Sequence, residues 1–214
     1  MAIQLGILED DSLTRFAVSE ALEQRGFEVK VSVPSASEFV EAVKIYRLDA
    51  VLLDLHLGLG PTGLDVANHM RSLNPNIGIV MLTSFDDPRL LAAGIGEIPK
   101  GCVYLVKKDV RNMDFLEQKI KESIQNIEST ETGPLATMSA LTDSQIEILR
   151  LIANGYSNGE IAKKRFVSEK TVESTISRIA KLLDLEHRPG HNARMEMAHA
   201  YFKSTGVKLT GAED

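Results

Sequence analysis

Short apolar runs recur along the first 127 residues, separated by stretches whose apolar positions fall at helical spacing. The runs occupy residues 3–8, 27–33, 50–53, 77–82 and 103–106 and are rich in leucine or β-branched residues. Runs this short and this uniformly apolar fit strands covered on both faces, and helical stretches between them fit parallel βαβ units. Leu13, Phe16, Ala17, Ala21 and Leu22 predict one helical face, and Phe39, Val40, Val43 and Tyr46 another. The pattern predicts an α/β fold over residues 1–127, with five parallel strands and helices on both sides, doubly wound. Its fourth helix is the weakest element: residues 88–93 begin well, but Gly94, Gly96 and Pro99 follow, so a short or frayed helix is expected.

Residues 128–140 are small and polar with Gly133-Pro134 as a breaker, and read as a linker. From 141 to 214 the pattern is helical only and predicts an all-α domain of four helices. Thr142 is placed to cap a helix that carries Ile146, Leu149 and Ile152 and closes near Asn154-Gly155. Ser157 and Glu160 have capping-box spacing, and Ser168 caps a third helix with Thr171 in the partner position. Residues 191–204 form the fourth.

Charge separates the two parts. Residues 1–138 hold 13 Lys+Arg and 20 Asp+Glu, whereas residues 139–214 hold 11 and 10. The acidic first part is a poor partner for a polyanion; the second suits one where its cations cluster. One cysteine, Cys102, rules out an internal disulfide framework and reads as a small buried hydrophobe. No apolar run approaches the roughly 18 residues of a membrane span, and the N-terminus lacks a signal-peptide pattern. A cytoplasmic protein with no membrane partner is expected.

The chemistry gathers at the carboxyl ends of the predicted strands, the edge where open α/β sheets bind ligands. Glu9-Asp10-Asp11 follow the first strand, Asp54 the third, Thr83-Ser84 the fourth and Lys107-Lys108 the fifth. Clustered carboxylates repel one another unless a cation holds them. An all-oxygen donor set suits a hard cation, Mg²⁺, which favours bridging carboxylates to phosphate. A nearby lysine and hydroxyl suit phosphoryl oxygens, and a carboxylate is a competent nucleophile toward phosphorus. Asp54 therefore reads as a phospho-acceptor, while Asp11 is assigned to capping the first helix.

The segments Ile7-Leu8-Glu9-Asp10-Asp11, Val51-Leu52-Leu53-Asp54-Leu55, Val80-Met81-Leu82-Thr83-Ser84 and Tyr104-Leu105-Val106-Lys107, in this order, resemble the receiver domain of two-component response regulators. The resemblance implies a flavodoxin-like fold and phosphorylation of Asp54 by a sensor histidine kinase. It implies Mg²⁺ held by Glu9, Asp10, Asp54 and the backbone carbonyl of His56. Thr83 and Lys107 would bond the phosphoryl group, and Tyr104 matches an aromatic that reorients on activation. The His56 side chain, two residues past Asp54, is placed to influence water attack on the phosphoryl group. Three features depart from the family: the loop 55–63 lacks the usual Met-Pro and is about one residue longer, Lys108 replaces a frequent proline associated with a cis bond, and the stretch from Thr83 to Lys107 is longer and glycine-rich.

Residues 140–204 carry Ser157-Asn158, Glu160-Ile161-Ala162, Ser168 and Thr171-Val172, and this spacing resembles the LuxR-type helix-turn-helix of NarL/FixJ-type regulators. The recognition helix is then 168–183, long enough to enter a major groove of double-stranded DNA. Lys170, Thr171, Glu173, Ser174, Ser177, Arg178 and Lys181 are its candidate DNA-facing residues, and Lys163, Lys164 and Arg165 candidate phosphate contacts. Glu173 stands where the family often has lysine and is able to accept from cytosine N4. The resemblance implies a transcription regulator that binds promoter half-sites as a homodimer when phosphorylated, and no enzyme beyond its own phosphoryl transfer and slow dephosphorylation. Two rivals use the same residues: a Mg²⁺-dependent phosphohydrolase with Asp54 as nucleophile, and an atypical regulator that works without phosphorylation.

Overall fold

The computed structural model describes residues 2–58, 60–91, 98–125, 138, 140–185 and 192–205. The chain divides into two compact units, residues 1–83 with 96–134 and residues 84–95 with 135–214.

In the first unit five parallel strands, β1 (Gln4–Leu8), β2 (Glu28–Val33), β3 (Ala50–Leu53), β4 (Gly78–Thr83) and β5 (Cys102–Val106), form one sheet in the order β2-β1-β3-β4-β5. β3 and β4 are buried along their whole length, which is why they read as unbroken apolar runs rather than alternating ones. The helices are α1 (Ser12–Glu23), α2 (Ala36–Ala42), α3 (Gly63–Leu73) and α4 (Met113–Gln125). Leu5, Ile7, Leu52, Val80 and Leu82 on one sheet face pack with Leu22 of α1 and Leu116 and Ile120 of α4. β1 and β3 lie side by side although β2 comes between them in sequence. This is the switch point of a doubly wound sheet, where a crevice opens at the strands' carboxyl ends.

Three expectations change. Among the described residues after β4 the chain forms a 3₁₀ turn at Pro88–Leu90; residues 92–97 lie outside the described residues, as do most of the expected linker 128–140. α1 is rotated from its expected face: Leu13 and Phe16 are 74% and 65% exposed, while Thr14, Arg15, Val18 and Leu22 turn inward. The rotation follows from Asp11, whose carboxylate caps the helix through the Thr14 amide at 2.7 Å, and from Arg15, which reaches back to the end of β1. α2 ends at Ala42, so Phe39 is buried while Tyr46 lies beyond the helix and is exposed. No described peptide bond is cis, including that at Lys108.

The second unit contains α5 (Asp143–Ala153), α6 (Asn158–Arg165), α7 (Glu169–Leu182) and α8 (Ala193–Ser204). The starts of α5, α6 and α7 are set by the expected caps. Thr142 pairs with Gln145 and Ser157 with Glu160 in capping boxes, and the Ser168 hydroxyl accepts from the Thr171 amide at 3.1 Å. Ile146, Leu149, Ile161, Val172, Ile179 and Met197 make its core. Three further residues complete that core from outside the four helices, Leu141 just before α5 among them. Met138, within the stretch expected to be linker, is buried there, and so is Leu90 of the 3₁₀ turn.

That turn is bound firmly inside the second unit. Arg89 donates to the carbonyls of Leu141 at 2.9 Å and Met138 at 3.1 Å, to Asp143 at 3.0 Å and to the buried Asp87 at 2.7 Å. The Tyr201 hydroxyl donates to the Leu90 carbonyl, and the Asp86 amide to the Ser204 carbonyl.

Candidate functional site

The switch point of the sheet brings three carboxylates together. Glu9 follows β1, Asp10 is next to it, and Asp54 follows β3; one ligand oxygen from each lies within 4.8 Å of the others. Glu9 and Asp54 are buried, at 4% and 7% exposure, and Asp10 is exposed. From the end of β5, the Lys107 ammonium reaches Glu9 at 2.7 Å and Asp54 at 2.9 Å. Burial, reinforced by the neighbouring Asp54 charge, pushes the Glu9 carboxyl above its ordinary range against the Lys107 hydrogen bond. Burial alone would lower the Lys107 ammonium, but Asp54 and Glu9 together outweigh it and hold it above its usual value. Two buried acids sharing one lysine leave negative charge uncompensated. The donor set is all oxygen, with one carboxylate open to solvent, and fits a small hard cation.

Local structure holds the edge in place. α3 starts at Gly63 because Thr62 and Asp65 form a capping box, a threonine-to-acid spacing that the sequence itself displays. Gly63 lies against the Asp54 backbone: a Cβ there would sit 1.9 Å from the Asp54 carbonyl oxygen. The His56 amide donates to Asp54 Oδ1 at 3.3 Å, and its side chain is exposed. Thr83 ends β4 on the same edge, fully buried and paired in register with Val106. Tyr104, paired with Met81, is buried in β5.

In the second unit Lys170, Thr171, Glu173, Ser174, Ser177, Arg178 and Lys181 are all exposed on α7, whose opposite face buries Val172, Ile179 and Ala180. The Ser177 hydroxyl donates to the Glu173 carbonyl at 3.1 Å, within the helix. Of the three basic residues before α7, Lys163 and Lys164 are exposed and Arg165 is half-buried. Lys164 lies over the Tyr156 ring at 4.7 Å, and Arg165 pairs with Glu147 and donates to Ser144. Phe166, which ends α6 in a left-handed conformation with φ 54°, is 96% exposed beside this face.

A flavodoxin-like sheet with an acidic switch point, joined to a capped helix-turn-helix unit, defines a DNA-binding response regulator. The chain belongs to the response regulators: residues 5–121 match the response regulator receiver domain, and residues 139–191 match the bacterial regulatory proteins of the luxR family. It is similar to the oxygen regulatory protein NreC of Staphylococcus epidermidis, 28% identical over 204 residues, covering 87% of this chain and 94% of that protein. NreC of Staphylococcus aureus is 28% identical over 203 residues, with the same coverage. Among solved structures, the fold is similar to RcsB in a structure of two dimers bound to two parallel DNAs. There the TM-score is 0.61 with 21% identity, over 95% of this chain and 99% of that one. RcsB of Salmonella enterica serovar Typhimurium bound to the promoter rprA with the phosphomimetic BeF3- gives a TM-score of 0.54 at 19% identity, over 93% and 98%. These regulators control transcription and are not enzymes in the ordinary sense. Among the described residues no helix is long and apolar enough to cross a membrane.

Proposed function

We propose that Asp54 is the phosphoryl acceptor of this response regulator, and that its phosphorylation controls DNA binding by α7. The observation that carries the reading is the meeting of Glu9, Asp10 and Asp54 within 4.8 Å, with Lys107 bonded to two of them. The donor is a phosphohistidine on a sensor histidine kinase. An Asp54 carboxylate oxygen forms the new bond to phosphorus as the P–N bond breaks, and the electron pair returns to the imidazole. The product is an acyl phosphate.

Glu9, Asp10, Asp54 and the His56 carbonyl are the residues that would hold Mg²⁺. Bound there, it supplies the positive charge that lets a dianionic phosphoryl group approach three carboxylates. Lys107 neutralises a phosphoryl oxygen by exchanging part of its present pairing with Asp54. Thr83, at the end of the neighbouring strand, donates its hydroxyl to another. Tyr104, within β5 and paired with Met81 two residues before Thr83, follows Thr83 when the switch changes state. Glu9, Asp54, Thr83 and Lys107 act from strand ends, where backbone pairing fixes their positions.

α7 enters the major groove of double-stranded DNA. Lys170, Thr171, Glu173, Ser174, Ser177, Arg178 and Lys181 form the reading face, and Lys163 meets phosphate. Lys164 and Arg165 contribute by leaving Tyr156 and Glu147, or by orienting α6 from there. The near-neutral charge of residues 139–214 makes a single copy a weak binder, so the active form is a homodimer on two half-sites in the cytoplasm.

The test is intact mass after incubation with a small phosphodonor and Mg²⁺, followed by DNA binding. One phosphoryl group on the wild type, none on Asp54→Ala, and tighter promoter binding by the phosphorylated protein are expected. A folded wild type that takes no phosphoryl group from the donor or from a panel of sensor kinases overturns the reading in favour of a phosphorylation-independent regulator.

A further inference from the structure

We infer that Arg15 is a positioning residue that sets the aim of the Asp10 carboxylate for cation binding. The inference rests on reading Glu9, Asp10 and Asp54 as the cation site of the phospho-acceptor.

Asp10 is exposed at the tip of the turn between β1 and α1. The Cα–Cβ direction from which its carboxylate starts is set by its own backbone, that is, by the two peptide planes that flank its Cα. The Glu9 carbonyl belongs to the first plane and the Asp10 carbonyl to the second. Arg15 holds both: its Nη1 donates to the Glu9 carbonyl at 2.6 Å and to the Asp10 carbonyl at 3.3 Å. The neighbouring residues are fixed independently. The Glu9 amide donates to the Val33 carbonyl at 3.2 Å, and the Asp11 carboxylate caps α1. One guanidinium thus holds both planes of the exposed acid from one turn along α1, and the Asp11 amide, donating to Glu9 Oε1 at 3.4 Å, adds a second hold on the later plane.

Arg15 is half-buried and lines the same small cavity as Glu9 and Asp54. It donates to carbonyl oxygens and leaves the three carboxylates to the cation. This arrangement separates two roles that are otherwise easily confused. As a mere positive charge near the site, Arg15 would repel Mg²⁺, and its removal would tighten binding. As a positioning residue it preorganises a ligand, and its removal weakens binding by about tenfold, the lower end of what outer-shell partners of metal ligands contribute. The two roles predict opposite signs.

The experiment is calorimetric titration of Mg²⁺ into the full chain for wild type, Arg15→Ala and Arg15→Lys, with helix content checked by circular dichroism. The expected result is a Kd for Mg²⁺ about tenfold higher in Arg15→Ala, an intermediate value in Arg15→Lys, and recovery of the phosphorylation rate by Arg15→Ala at saturating Mg²⁺. An Arg15→Ala protein that binds Mg²⁺ as tightly as wild type, or more tightly, overturns the inference. If Arg15→Ala does not fold, Arg15→Lys decides: it keeps the charge, but its ammonium ends one bond short of the Nη1 that holds both carbonyls, so wild-type affinity overturns the inference and weaker affinity supports it. Failure of the Asp54 reading has its own signature, a wild type that binds Mg²⁺ and gains no phosphoryl mass. A wild type that binds no Mg²⁺ overturns both.

Discussion

Gly63 permits a contact that no other residue would. A methyl group on it would lie 1.9 Å from the Asp54 carbonyl oxygen, 2.8 Å from the carbonyl carbon and 3.2 Å from Leu55 Cα. Since Cβ contacts under 3.0 Å essentially do not occur, Gly63→Ala forces the start of α3 and the end of β3 apart by about 1 Å or more. The obstacle is main chain, so no rotamer change relieves it. α3 cannot simply lift away, because Leu64, Val66, Ala67 and Met70 are buried beneath it. Overpacking of this kind costs about 1–3 kcal/mol, and a backbone obstacle places it in the upper half. At about 4 °C per kcal/mol for a domain of this size, the unfolding transition of the first unit falls by about 8–12 °C. The displaced atom belongs to Asp54 itself, whose carboxylate is held 2.9 Å from Lys107. Phosphoryl uptake therefore slows as well. Calorimetry gives the first effect and intact mass over time the second. Gly58→Ala is the control: its φ is +75° and its Cβ meets nothing, so it bears only the left-handed penalty of about 1–2 kcal/mol. A Gly63→Ala protein that melts with wild type and is phosphorylated at the wild-type rate would refute the close approach.

Lys107→Met leaves Glu9 and Asp54 buried without their shared cation, at a cost of about 3 kcal/mol in Mg²⁺-free buffer; urea denaturation should show it, with the deficit shrinking as Mg²⁺ is added. Leu90→Ala empties a fully buried position in the second unit and should lower that unit's stability by about 2–4 kcal/mol, seen as an earlier loss of its helical signal. The Cys102 thiol, buried in β5, is pushed by burial up to about 12 from 9.0. The folded protein should therefore resist iodoacetamide at pH 8 and react only after unfolding. The sign of the linkage follows: the unfolded chain loses this proton first, so stability falls between pH 9 and 12 by up to about 1.4 kcal/mol per pH unit, and Cys102→Ala, compared with wild type, removes that part of the slope.

The site was legible because its chemistry sits at strand ends, where an apolar run stops and a polar residue begins. Glu9, Asp54, Thr83 and Lys107 are separated widely in sequence, and the parallel sheet carries all four to one edge. The helix starts at Asp11, Thr142, Ser157 and Ser168 were legible because a cap is a local arrangement of four residues. Long-range choices were not. The face of α1 is not legible, because Leu13 and Phe16 have core spacing, yet the cap and Arg15 turn them to solvent. The pairing of Arg165 with Glu147 of α5 is likewise not legible in the sequence, because it depends on how α5 packs against α6. Residues 84–91 have composition suited to a surface loop, and only the packing of Leu90 reveals where they belong.

The membership of that turn bears on how such a protein can be assembled from parts. The second unit draws its core from two stretches of chain, and the earlier one begins one residue after Thr83. A gene break near residue 135 would deliver all four helices and leave out Leu90, along with the arginine that ties down the carbonyls of Met138 and Leu141. Recombination that exchanges the sheet for one from another regulator would do the same. The helical half is thus not a cassette: a new input half must bring a matching replacement for residues 84–91, and lineages that shuffle these halves should change both stretches together.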